Sequence, residues 1–225
     1  MIVAPIIWVD GSIGAGKSEF VERLAKHLGY KQYQEPVASE SLLNQFYLDP
    51  KRWAFMFQMH MLRQRKNLHH LATLETRCGK VNGIIFDRGM PGDAVFAKMH
   101  RKLGNMTERE FGIYNDFYTE YMTIPHIQPS LLLYLRTTPE VSLKRIQKRG
   151  RLSEQNIDLN YLQSLGGCYD NLLAGIRGDN HAWSRGMKMF EVDWNEDNLP
   201  IKPIAVAVST LCREIVANTP MTSSV

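Results

Sequence analysis

Residues 11–18 read Gly11-Ser12-Ile13-Gly14-Ala15-Gly16-Lys17-Ser18 and satisfy every fixed position of G-x-x-x-x-G-K-[ST]. The glycines of such a loop let the backbone wrap a phosphate with its N–H groups turned inward, and the helix that follows adds a positive N-terminus. Lys17 then reaches β- and γ-phosphate oxygens, and the Ser18 hydroxyl can ligate Mg2+. Nucleotide binding follows from this motif, but a reaction does not, because GTPases, ATPase motors and small-molecule kinases share it.

Three further features bear on the reaction. Glu35 precedes Pro36, which keeps it out of helical geometry, so its carboxylate can project from a strand end. A surface glutamate before a loop is the bland alternative. Asp87 and Arg88 close the apolar run 83–86, where a phosphate-loop enzyme places a Mg2+ partner and a forked cation; a strand-terminal ion pair would look the same. Finally, residues 145–151 carry Arg145, Arg149 and Arg151 together with Lys148. Arg145 and Arg149 are spaced i,i+4 on one helix face, and Gly150 ends that helix. A solvated basic face and a nucleic-acid patch are the competing readings. No aromatic residues interleave with these arginines, which disfavours the nucleic-acid patch. Arginines on a hinged segment suit closure over a triphosphate.

These residues need strands to present them and helices to back the strands. Apolar runs at 2–10, 83–87, 130–136 and 187–192 predict strands, with another near 30–34. Helical patterns occupy 17–28, about 51–77, about 107–122, 139–148, 159–176 and 200–218, with Pro139 and Pro200 in first turns. The alternation predicts an α/β fold with a parallel sheet covered by helices on both faces and its functional groups at the carboxyl ends of the strands. A single domain over 1–218 is expected, with a lid at about 145–157 and a flexible tail at 219–225.

Composition sets the outer bounds. The chain has 225 residues, 44% hydrophobic and 22% charged, which is ordinary globular usage. A net charge of +4 is too mild for a polybasic nucleic-acid binder. The three cysteines, Cys78, Cys168 and Cys212, lie far apart, so a disulfide framework or zinc cluster is not expected and a reducing cytoplasm is. The apolar start is short and lacks a basic leader, so neither a signal peptide nor a membrane span is expected.

Taken together, the phosphate loop, Glu35-Pro36-Val37, residues 47–58, Asp87-Arg88, residues 134–140 and 145–151, and Glu154 make the chain resemble the deoxyribonucleoside kinases from about residue 3 to 197. The resemblance implies a P-loop kinase fold with an arginine-rich lid. It also implies phosphorylation of a deoxynucleoside 5′-hydroxyl by ATP with Mg2+, in nucleotide salvage, by a homodimer. Glu35 would be the general base and Arg88 its restraint, while Asp87 would help Ser18 hold Mg2+. Tyr47 and Glu154 would clasp the 3′-hydroxyl. Arg145, Arg149 and Arg151 would cover the triphosphate, and Glu196-Asp197 would flank the donor base. A nucleoside monophosphate kinase and a non-catalytic subunit that keeps the fold are the alternatives.

The acceptor base falls to the helix 51–77, where Gln58, Met61 and Arg65 share one face, although core packing is the common fate of a helical methionine. Arg65 with Asp93 resembles the pair in the deoxycytidine, deoxyguanosine and deoxyadenosine kinases, so purine deoxynucleosides or deoxycytidine are expected over thymidine. The chain also departs from its relatives. Gly89 replaces a common serine, Met90-Pro91-Gly92 is unusual, and Ala97 stands where relatives often have an aromatic residue, with Phe96 one place earlier. These departures put the shape of the 88–93 loop and the base-stacking contact in question.

Overall fold

The computed structural model describes residues 4–36, 39–124, 129–184 and 187–218. The expected tail at 219–225 and Val37 lie outside the described residues. The elements run β1 (Ile6–Gly11), α1 (Lys17–Leu28), β2 (Lys31–Tyr33), α2 (Glu40–Leu48), α3 (Pro50–Arg77) and β3 (Ile84–Asp87). They continue with α4 (Met90–Lys102), α5 (Glu108–Met122), β4 (Leu131–Arg136), α6 (Pro139–Arg149), α7 (Leu159–Arg177), β5 (Lys188–Asp193) and α8 (Ile201–Asn218). The strands form one parallel sheet in the order β2-β3-β1-β4-β5. All five carboxyl ends therefore face one edge, where the expected functional loops collect.

The three central strands β3, β1 and β4 are almost wholly apolar because both their faces are covered, whereas the edge strands β2 (Lys31-Gln32-Tyr33) and β5 carry polar residues and are largely part-exposed. Ile7 and Val9 of β1 enter a core with Phe20, Val21 and Leu24 of α1 and Val208 of α8. Ile6 and Trp8 point the other way, into a core with Leu62 of α3, Met90 and Met99 of α4 and Tyr169 of α7. A half-exposed strand would alternate polar and apolar residues; the three central strands do not.

Side-chain caps fix the helix starts. Asp49 accepts from the Arg52 N–H with Pro50 in the first turn of α3, Thr138 caps α6 ahead of Pro139, and Asp158 caps α7. Thr107 and Glu110 form a reciprocal capping box at α5, which moves its start one residue past the expected position.

Two helices lie outside the pattern expected from sequence. Helix α2 starts at a Ser39 cap. Helix α4 begins at Met90, so the segment expected as an unusual loop is its first turn. Pro91 is tolerated there because first-turn N–H groups have no intrahelical partner. Gly92 is required for packing: a Cβ would stand 2.2 Å from Asp10 Oδ1 and 2.8 Å from Arg88 Cγ.

Candidate active site

The loop between β1 and α1 has the conformation its glycines permit. Gly14 and Gly16 have φ of 77° and 83°, and a Cβ on Gly14 would lie 2.4 Å from the Ser142 carbonyl of α6. Ser12, Ala15 and Lys17 are buried, and Ile13 is half-buried. Lys17 Nζ donates to the carbonyls of Gly11 at 3.2 Å and Ser12 at 2.9 Å. Burial, and next the Arg88 charge, push the Lys17 ammonium down to about 8, against the pull of Asp87, Glu35 and Asp10.

Ser18 donates its hydroxyl to Asp87 Oδ2, while Asp87 Oδ1 is buried with no hydrogen-bond partner. A hydroxyl and a carboxylate with an unused oxygen beside a phosphate loop fit Mg2+. That ion takes one or two protein oxygens and fills its remaining positions with water and phosphate.

A cleft of about 630 Å³ opens from this loop. It is lined by Lys17 and Ser18 at one end, Glu35 and Arg88 in the middle, Tyr47, Arg149, Arg151 and Glu154 on one side, and Gln58, Met61, Arg65, Asp93 and Phe96 at depth. Glu35 accepts from Arg88 Nε at 2.8 Å and Arg65 Nη2 at 3.1 Å. Burial pushes the Glu35 carboxyl up, but Arg88, Arg65 and Lys17 together outweigh it and hold the group below its ordinary value. At neutral pH it is a carboxylate within reach of the phosphate end.

Deeper in the cleft, Arg65 Nε donates to Asp93 Oδ2 at 3.2 Å, and Tyr114 of α5 donates to Asp93 Oδ1 at 2.7 Å. Arg65 Nη1 is buried and has no hydrogen-bond partner. Gln58 and Met61 are buried beside it. The aromatic wall is Phe57 and Phe96, with the Phe96 ring 4.8 Å from the Arg88 guanidinium carbon. Ala97 turns instead into the core. Phe96, one position earlier, is the aromatic side chain that lines the cleft.

The three lid arginines are held by two sets of partners. Arg149 and Arg151 do meet at Glu154, at 2.6 and 3.5 Å. Arg145 donates to Asp197 Oδ1 at 3.0 Å, to the Trp194 carbonyl at 2.8 Å and to the Ala15 carbonyl of the phosphate loop at 3.4 Å. The i,i+4 spacing placed Arg145 and Arg149 on one face, but the loop after β5 supplies acceptors to only the first. Arg145 and Arg149, with Glu196 and Asp197, line a second cleft of about 480 Å³ that also borders Gly14 and Gly16.

Three residues of this centre escaped the sequence reading. Asp10 and Tyr169 support Arg88, and Tyr114 supports Asp93. Asp10 did carry a signal, as the one charge in an apolar strand; the two tyrosines sit inside amphipathic helices and carried none.

Fold and site together define a P-loop phosphotransferase with an acceptor cleft beside the phosphate loop. The deoxynucleoside kinase family model matches residues 7–210, and the chain belongs to that family. It is 35% identical over 190 residues to a deoxyguanosine kinase of Dictyostelium discoideum, covering 84% of this chain and 64% of that one. It is 33% identical over 173 residues to a deoxyadenosine/deoxycytidine kinase of Bacillus subtilis, covering 76% and 77%. Among solved structures it is similar to the deoxyadenosine kinase from M. mycoides with bound dCTP. The TM-score is 0.73 at 28% identity, over 93% of this chain and 99% of that one.

The depressed Lys17 gives a measurable consequence. A polyphosphate favours the ammonium, so its binding draws a proton from the buffer wherever Lys17 starts neutral. Calorimetry in buffers of different ionisation enthalpy should show uptake of about half a proton near pH 8, rising above it and vanishing by about pH 6. Buffer-independent heats at pH 8–9 would contradict the assignment.

Proposed function

We propose that the protein transfers the γ-phosphoryl group of ATP to the 5′-hydroxyl of a deoxyribonucleoside, giving a deoxynucleoside monophosphate for salvage. The observation that carries this is the Glu35 carboxylate, kept anionic by Arg88 and Arg65 at the junction of the phosphate loop and the acceptor cleft. A hydroxyl acceptor needs a base there, whereas an acceptor phosphate needs extra cations and no base. That favours a nucleoside over a nucleoside monophosphate, and the intact Lys17, Ser18 and Glu35 favour an enzyme over a silent subunit.

In this reading the 5′-hydroxyl gives its proton to Glu35 as its oxygen bonds to the γ-phosphorus. The bond from that phosphorus to the bridging oxygen breaks, and ADP carries away the electron pair. Lys17 and the loop N–H groups hold the β- and γ-oxygens, and Arg149 and Arg151 neutralise charge from the lid side. Mg2+ on Ser18 and Asp87 would supply further neutralisation of the phosphates. Tyr47 and Glu154, which line the same cleft as Glu35, would hold the 3′-hydroxyl, and Gln58 and Met61 would take the acceptor base. Arg145, Glu196 and Asp197, at the second cleft, would receive the donor base.

A homodimer is supported by exposed apolar side chains on neighbouring helices, Leu71 and Leu74 of α3 and Ile113 and Phe117 of α5. A cytoplasmic location is supported by three free cysteines. No helix among the described residues is long and apolar enough to cross a membrane.

Replacing Glu35 by Gln should cut kcat by about 10²–10⁴ while nucleoside binding, followed by calorimetry, survives. Unchanged turnover removes the base assignment. Base preference rests on the charged Arg65–Asp93 pair, which offers donors and an acceptor to a purine edge or an exocyclic amine and nothing to the thymine methyl. A panel of the four deoxynucleosides with ATP and Mg2+ should place deoxyadenosine, deoxyguanosine or deoxycytidine highest in kcat/KM. Thymidine ranking first would sink that preference.

A further inference from the structure

Arg88 reaches Glu35 with one edge of its guanidinium and is held by the other. Nη1 donates to the Tyr169 hydroxyl, to the Gly11 carbonyl at 3.2 Å and to Asp10 Oδ1 at 3.4 Å. Tyr169 in turn donates its hydroxyl to the same Asp10 oxygen at 2.9 Å. The Gly89 N–H donates to Asp10 Oδ2 at 3.3 Å. Asp10 and Tyr169 are fully buried, and neither lines the cleft.

Burying a carboxylate in the middle strand of a sheet is unfavourable unless it is paired. Two apolar residues of similar shape would serve a purely packing role at less cost. The Arg88 backbone adds a second constraint. Its φ is 71°, a left-handed conformation that is unfavourable for a non-glycine residue and persists only where neighbours enforce it. The Arg88 side chain is thus the point at which β1, the turn after β3 and α7 are tied together.

We propose that Asp10 and Tyr169 are positioning residues for phosphoryl transfer: they hold the rear edge of Arg88 so that its Nε stays on the Glu35 carboxylate. This rests on the general-base reading of Glu35 and extends it to two residues that do not touch substrate. Helix α7 begins just beyond the lid turn that carries Glu154, so Tyr169 also joins the lid-bearing part of the chain to the base. The charged and titratable groups facing Glu35 are Arg88, Arg65 from α3, Lys17 from α1, Tyr47 from α2 and Asp93 from α4. Loosening Arg88 removes the largest of the charges that favour the carboxylate.

The test is a set of steady-state pH profiles for ATP-dependent phosphorylation of the fastest deoxynucleoside, using Tyr169→Phe, Arg88→Lys, the double variant and Glu35→Gln. Tyr169→Phe should lower kcat about ten-fold or more and move the acid limb of kcat/KM up by about one pH unit. KM for ATP should stay within about two-fold of the parent value. Lysine cannot span both edges of the site, so Tyr169→Phe should add nothing in the Arg88→Lys background. A Tyr169→Phe protein with parental kcat and pH profile overturns the proposal, as does a full additional loss in the Arg88→Lys background. If Tyr169→Phe does not fold, the same readouts on Asp10→Asn decide the matter. Activity retained by Glu35→Gln strikes the general-base reading itself. A dead Glu35→Gln beside a normal Tyr169→Phe strikes only the positioning role.

Discussion

Arg88 carries a charge that it cannot lose at 3% exposure, so the fold must surround it with acceptors. It does so from three directions. Glu35 comes from beyond β2, Asp10 and the Gly11 carbonyl from the end of β1, and Tyr169 from α7. Phe96 of α4 lies against the guanidinium. The acceptor cleft, the phosphate loop and the helix after the lid are therefore organised around one side chain. Glycine is needed nearby for the same reason: Gly92 lets α4 start against Asp10 and Arg88 without a clash.

The parallel sheet makes this convergence cheap. The register that pairs Val9 with Asp87 and Gly11 with Leu135 brings the ends of β3, β1 and β4 to one edge, β3 stopping two residues short of β1. Residues far apart in sequence arrive at one edge without long loops. The sheet order also puts β1 in the middle, so that the phosphate loop has the Asp87-Arg88 turn on one side and α6, the lid helix, on the other. Charge is then sorted along the cleft. Lys17 and Arg88 face the phosphate end, Arg65 and Asp93 are paired at depth, and Arg149 and Arg151 close on Glu154.

Much of this centre was legible in the sequence because its signals are local. The phosphate loop is a contiguous motif, Pro36 fixes the geometry before it, and Asp87-Arg88 ends an apolar run that could only be a buried strand. What was not legible depends on tertiary contact. Met90-Pro91-Gly92 reads as a loop by composition, and it is helical because Pro is harmless in a first turn and Gly is needed against Asp10. Tyr169 and Tyr114 look like ordinary helical core residues until their hydroxyls are seen on Asp10 and Asp93. Arg145 and Arg149 share a helix face and a cleft as their spacing implies, but only Arg145 is also held by the loop after β5, and no local pattern encodes that loop's position.

A buried arginine fork keeps Glu35 a carboxylate between the phosphate loop and the depth of the cleft. The most direct measurement is a 13C NMR titration of the glutamate side-chain carboxyls, with the Glu35 resonance assigned by its loss in Glu35→Gln. The expected Glu35 midpoint lies below the ordinary glutamate value of 4.5. A midpoint at or above that value would mean that burial, and not Arg88, sets the charge of Glu35, and would contradict the account.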